Sequence, residues 1–247
     1  MIIAIADGHG RVVKSMLAAN LAVMRARRGK QVLLLDGDPR KFSVLWGEDR
    51  QVAGARPALH TRQLARQGVA RQLESMASDY DDVIIDADAA DSLPARSVLV
   101  FAHQLVVLLH PAQFEQHVQD TLRQRLDTAR LFNPRMKVLF VIAFPDVVIP
   151  LHDIARIRAF VVTIPCARLA DVSIQPTHAL SCAFASGLAA VEYASEDVAL
   201  RREMEDLYRA VFPDEAIPLR GNQQAISHRG FREQVTRLRG IIFKLLP

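Results

Sequence analysis

Lys14, Ser15, Asp36, Asp38 and Asp86 have the residue types and spacing of a phosphate-handling site. Lys14 and Ser15 open a stretch of helical apolar spacing (Leu17, Leu21, Met24), after an apolar run at residues 2–6 and a loop containing Gly8 and Gly10. A strand, a glycine-containing loop and Lys-Ser at a helix start is the layout that cradles phosphates. Backbone N–H groups and the helix N-terminus face the anion, the lysine neutralises the outer phosphates, and the hydroxyl ligates magnesium. The pattern is incomplete, because Val13 stands where GxxxxGK[ST] has its last glycine. A Cβ there resists positive φ and fills space through which phosphate approaches the backbone. Asp36 and Asp38 follow the apolar run 32–35, and Asp86 follows 83–85. Acids at the carboxyl ends of buried strands stand where an α/β protein turns its groups toward a ligand, and they also serve to cap the segment that follows.

The elements that must position these residues follow from hydrophobic patterning. Apolar runs at 2–6, 32–35, 83–85, 105–109 and 138–142 alternate with stretches of helical character at 14–28, 114–131 and 198–212. Gly29 is placed to stop the first helix. In the last helix, Leu200, Met204, Leu207 and Val211 share one face. Continuous apolar runs separated by helices predict parallel strands buried on both faces. The expected class is α/β, a doubly wound, mostly parallel sheet with helices on both faces and ligands beyond the carboxyl ends of the strands.

Composition narrows the function. The chain has 247 residues, 50% hydrophobic and 23% charged, enough for one well-filled domain and unlike disordered or collagen-like sequences. Cys166 and Cys182 are too few for a disulfide framework, lack zinc-site spacing, and read as small core residues. The eight histidines form no HExxH cluster and there is no G-x-S-x-G elbow, which removes support for metalloprotease or acyl-transfer chemistry. The longest apolar stretch, 97–109, is broken by His103 and Gln104 and falls short of the roughly 20 residues of a membrane span. With no secretory pattern at the start, a cytoplasmic protein is expected. Net charge is +4, but residues 219–247 hold six basic residues against one acid, a net +5 that leaves the rest at −1. A neutral body with a basic end points to phosphate, in nucleic acid or anionic lipid.

Longer motifs give the site a family context. The segments Leu17-Ala18-Ala19-Asn20-Leu21-Ala22 and Arg28-Gly29-Lys30-Gln31-Val32-Leu33-Leu34-Leu35-Asp36-Gly37-Asp38-Pro39 resemble the ParA/MinD superfamily of partition and positioning ATPases with a deviant Walker A motif. Asp79-Tyr80-Asp81-Asp82-Val83-Ile84-Ile85-Asp86 is similar to that family's Walker B strand, and Ala183-Phe184-Ala185-Ser186-Gly187, Val191-Glu192-Tyr193 and the helix that closes at Phe212 resemble the plasmid-partition ending. The resemblance runs over residues 1–212. It implies a P-loop NTPase-like fold of ParA/MinD type and a role for each surviving residue. Gly10, Arg11, Lys14 and Ser15 would face the nucleotide. Ser15, Asp36 and Asp86 would serve magnesium, and Asp38 would position the attacking water.

The departures fall at functional positions. The family's signature lysine, which reaches across the dimer, aligns with His9, a shorter side chain that is mostly neutral at pH 7. The second and third glycines align with Arg11 and Val13, of which Arg11 could return some positive charge. Ala87-Asp88-Ala89 stands in place of a switch ending in glycine, and Val141-Ile142-Ala143-Phe144 where an adenine-contacting asparagine usually closes a strand. Phosphoryl transfer rests on positioning and electrostatics, so losing one cationic clamp costs orders of magnitude in rate. The resemblance thus implies a ParA-like partition or positioning protein with a degenerate site. ATP and Mg2+ would bind weakly or not at all, hydrolysis would be negligible, and the protein would act as a homodimer with an adaptor or cargo protein. An active ATPase of the same fold, or a MinD-like membrane-associated module, are the alternatives.

The expected organisation is a domain at 1–212, then a linker and basic amphipathic helix at 213–247. In the tail, Phe231, Val235, Leu238, Ile242 and Leu245 form one stripe, with Arg229, Arg232, Arg237, Arg239 and Lys244 around it. This segment suits docking on the body, non-specific DNA binding (nucleoid association) or an anionic membrane surface, and the sequence leaves the three open.

Overall fold

A computed structural model of the chain describes residues 1–7, 12–65, 67–88, 92–143, 149–193 and 197–213. The five apolar runs form strands β1 (Ile2–Asp7), β2 (Val32–Asp36), β4 (Asp82–Asp86), β5 (Gln104–Leu109) and β6 (Lys137–Ala143). Two further strands, β3 (His60–Gln63) and β7 (Ala167–Ile174), complete a seven-stranded sheet in the order β3-β2-β4-β1-β5-β6-β7. Every pairing is parallel. Both additional strands lie at edges and are largely solvent-facing, which is why no apolar run announces them; short or polar edge strands also discourage pairing with other chains.

The helices are α1 (Val12–Ala26), α2 (Phe42–Val52), α3 (Val69–Ala77), α4 (Leu93–Phe101), α5 (Gln116–Phe132), α6 (Leu151–Val161), α7 (His178–Ala185), α8 (Ala190–Tyr193) and α9 (Val198–Val211). Side chains of the central strands alternate between two cores, as a period of two requires. Ile3, Ile5, Leu34 and Ile84 face a core shared with α1, α7 and α9. Ile2, Ala4, Leu33, Leu35 and Ile85 face the other, filled by Leu73, Phe101, Leu126 and Phe160 from α3 to α6. The doubly wound architecture is therefore as the sequence predicts.

Helix α1 is enclosed along nearly its whole length, and its small residues Ala18, Ala19 and Ala22 let sheet and neighbouring helices approach closely. Asn20 ties it down: its amide donates to Met16 O at 2.8 Å and its Oδ1 accepts from Ala190 N at 2.7 Å. The helix begins two residues before Lys14 and ends before Gly29, whose φ of 82° supplies the expected stop. On α9, Leu200, Met204, Leu207 and Val211 are all buried, as their spacing predicts.

The cysteines correct an expectation: Cys166 is exposed and Cys182 only half-buried, so neither is a core residue. Cys166 lies in the turn before the edge strand β7, and Cys182 packs beside His178 one turn earlier on α7, away from both cores. Among the described residues, no helix is long and apolar enough to cross a membrane. The linker and basic tail expected from 213 onward lie, apart from Pro213, outside the described residues.

Candidate functional site

The chain leaves β1 toward β2 on one side and leaves the adjacent β4 toward β5 on the other, so the crevice beyond the carboxyl ends of β1 and β4 is the switch point of the sheet. The β2–β4 register sets Asp36 opposite Asp86, and Ile5 of β1 pairs with Asp86 on its other side. The turn after β2 then passes closely over β4. Gly37 N donates to Asp86 O at 2.8 Å, and a Cβ on Gly37 would come within 3.2 Å of that oxygen. Strand register and this turn bring Asp36, Asp38 and Asp86 to one place, with the first turn of α1 delivering Lys14 and Ser15.

Lys14 is fully buried. Its ammonium forms an ion pair and hydrogen bond with Asp86 Oδ1 and lies 3.5 Å from Asp38 Oδ2. Ser43 Oγ, at the start of α2, donates to Asp86 Oδ2 at 2.8 Å, so both oxygens of that carboxylate have partners. Asp36 accepts from the N–H groups of Asp38 (2.9 Å) and Val44 (3.0 Å), fixing the turn and the start of α2. Burial and the neighbouring Asp86 charge nevertheless raise its pKa. Asp38 behaves in the opposite way. Burial works to raise its pKa, but hydrogen bonds from Arg40 and the charges of Lys14 and Arg40 outweigh it and hold the carboxyl at about 2. Arg40 also feels the charges of Asp7, at the end of β1, and of Asp86.

Ser15 differs from its neighbour. Its hydroxyl is buried and has no hydrogen-bond partner among the described residues. An orphaned buried hydroxyl is costly, and here it stands on the helix turn where a magnesium ligand is expected. No three His, Cys, Asp or Glu side chains among the described residues are grouped closely enough to hold a metal alone. A magnesium ion here would depend on Ser15 together with Asp86 or Asp36 and on phosphate oxygens, the mixed ligand set usual for that ion. The metal side of the site thus fits. The phosphate side departs: Val13 is helical and packed into the core, not part of an open glycine loop.

Of the residues singled out in the sequence, Lys14, Asp36, Asp38 and Asp86 converge, and Ser15 follows Lys14 in the first turn of α1. Gly10 and Arg11 lie outside the described residues, as do Arg229, Arg232, Arg237, Arg239 and Lys244. The sequence reading missed Arg40 and Ser43. The signal for Arg40 was its place directly after Asp38-Pro39, where a cation can fold back onto the acid.

A fully parallel sheet with a lysine and three acids gathered at its switch point has the layout of a P-loop-type nucleotide-binding domain. The CobQ/CobB/MinD/ParA nucleotide binding domain family (CbiA) matches residues 3–209, and the chain belongs to this family, within the ParA/MinD superfamily. An uncharacterized ATP-binding protein of Methanocaldococcus jannaschii is 27% identical over 168 residues, covering 56% of this chain and 63% of that protein. The maintenance of carboxysome distribution protein A of Gloeobacter kilaueensis is 32% identical over 117 residues, 46% of this chain and 51% of its own length. The chain thus spans less than two thirds of these curated relatives. MinD of Aquifex aeolicus, solved in complex with MinC, superposes with a TM-score of 0.62 at 19% identity, over 89% of this chain and 98% of that one. At that identity the likeness is one of fold.

Proposed function

We propose that this chain is a ParA-like partition or positioning protein with a degenerate nucleotide site. It binds ATP and Mg2+ weakly or not at all and hydrolyses ATP negligibly. It acts in the cytoplasm as a homodimer that carries an adaptor or a large cargo. Its basic tail (Arg229, Arg232, Arg237, Arg239, Lys244) holds it to non-specific DNA or another anionic surface. The observation that carries this reading is the engagement of Lys14: the cation that would meet the phosphates is buried against Asp86 and Asp38. A nucleotide must break that pairing before gaining the lysine, which subtracts directly from its affinity. The helical, core-packed Val13 supports the same reading. The likeness to a protein that maintains carboxysome distribution supports positioning of a large assembly.

The Ser15 hydroxyl, buried and with no partner among the described residues, favours a second reading, an ATPase of the same fold in which magnesium completes the site. Calorimetric titration of Mg·ATP into the wild type and Ser15→Ala, followed by phosphate-release assays, separates the two. Under the first reading both proteins give little or no binding heat and no turnover. Micromolar affinity and steady turnover that Ser15→Ala abolishes would replace it with the second.

A further inference from the structure

A concentration of positive charge among the described residues lies away from the nucleotide crevice. The end of α1, the adjoining turn and one face of α9 enclose a groove of about 690 Å3. Five arginines line it, Arg27, Arg28, Arg201, Arg202 and Arg209, against one acid, Glu205. Its apolar lining is Met24, Val191 and Val198. Lys14 and Arg27 are thirteen residues apart along and just past α1, so a helical rise of 1.5 Å per residue separates groove and crevice by about 20 Å.

Arg27 and Arg28 just past the end of α1 and Arg209 in the last turn of α9 stand where the helix dipole favours cations, but two of the arginines do not. Arg201 stands in the first turn of α9 and Arg202 beside it, where the helix dipole favours acids. Val198, at the start of the same helix, is 73% exposed although it is apolar. Within the groove one carboxylate is already bound: Arg28 donates to Glu205 Oε2 at 2.8 Å while its guanidinium lies 3.8 Å from the centre of the Tyr208 ring. Asp206 lies 3.0 Å from Arg209 and 3.9 Å from Arg202 and offsets part of their charge.

We propose that this groove is a docking site for an acidic amphipathic helix of a partner protein. Carboxylates on the flanks of such a helix meet the arginines, and its apolar stripe covers the exposed Val198 and the half-buried Val191. This is the helix-in-groove mode with charge complementarity setting register. Duplex DNA would satisfy the arginines but bring no apolar surface to Val198, and a concave cleft between helices suits a helix better than a phosphate backbone. The chain's own residues 219–247 carry a net +5, the wrong sign to complement these arginines. The inference rests on the positioning reading for what the partner is, an adaptor linking the protein to its cargo. The groove's chemistry stands apart from the nucleotide site.

The test is fluorescence anisotropy with the full chain and a labelled 18-residue peptide bearing leucines at helical i, i+3, i+4, i+7 spacing and glutamates elsewhere. An equally charged polyglutamate and an 18-base-pair DNA duplex serve as competitors. Micromolar binding is expected, weakened at least tenfold by Arg201→Glu with Arg202→Glu and about fivefold by Val198→Ser. All three side chains are exposed, so folding is retained, which circular dichroism verifies. Polyglutamate should compete at least tenfold less well than the leucine-bearing peptide. Absence of peptide binding, indifference to the arginine reversals, or displacement by DNA with no effect of Val198→Ser would overturn the proposal. None of these outcomes bears on Mg·ATP calorimetry, so failure of the groove and failure of the degenerate-site reading remain distinct.

Discussion

Arg40 grips Asp38 with two parallel hydrogen bonds, Nε to Oδ1 at 2.9 Å and Nη2 to Oδ2 at 2.7 Å. This fork fixes the acid that the family resemblance assigns to positioning the attacking water. With Lys14 on the same carboxylate, Asp38 is held as an anion with its oxygens engaged, a poor state for a group that must orient a nucleophile.

Arg40→Gln should therefore release Asp38. Its folded pKa, now about 2 against an ordinary 3.8, means that its contribution to stability is complete above pH 3.8 and is lost as pH falls toward 2. Asp36 has the opposite sign: its folded pKa is raised, so a penalty for charging it sets in as pH climbs above 3.8. In the variant, the Asp38 carboxyl resonance should titrate closer to 3.8 and the rise of stability across acid pH should flatten. Carbon-detected NMR titration with urea melts at several pH values checks this, and an unmoved Asp38 midpoint would refute it.

Lys14→Met should lower folding stability by about 3–5 kcal/mol, because removing one partner of a buried ion pair leaves its carboxylates uncompensated. Adding Asp86→Asn should recover part of that loss, and a double-mutant cycle in urea measures the coupling. A surface-exposed phosphate lysine would show neither effect.

Ser15→Ala should leave stability unchanged or raise it by up to about 1 kcal/mol, since it deletes a buried hydroxyl that has no partner among the described residues. Any stabilisation of the wild type by Mg·ATP in a thermal melt should disappear in this variant. A marked loss of stability without ligand would show that the hydroxyl has a structural partner.

Gly187→Ala should destabilise by about 2 kcal/mol or more, combining a left-handed backbone with a steric clash. Gly187 has φ of 68°, and an added Cβ would meet Arg50 N at 2.3 Å. The close approach lets Arg50 reach Gly187 O at 3.3 Å and pair with both oxygens of Glu192, joining α2 to α8 and the turn before it. Urea denaturation measures the loss, and the melting temperature should fall with it.

Ile2 to Ala6 and the runs ending at Asp36 and Asp86 were legible in the sequence because strands buried on both faces must be continuously apolar. Leu200, Met204, Leu207 and Val211 were legible because a helix repeats every 3.6 residues. The same local rules identified Lys14, Ser15 and the three acids as candidates by type and position. They were blind to β3 and β7, whose exposed edges need no apolar pattern, and misplaced the cysteines, because burial depends on which way a turn or helix face points.

Only the tertiary structure decided what the candidates do to one another. That Lys14 turns inward to Asp86, that Arg40 folds back onto Asp38, and that Ser15 has no partner among the described residues all depend on strand register and on where α1 begins. The arginines of the groove, 27 and 28 on one side and 201, 202 and 209 on the other, lie over 170 residues apart in the chain. Composition records their charge, but only the packing of α1 against α9 gathers it into one surface.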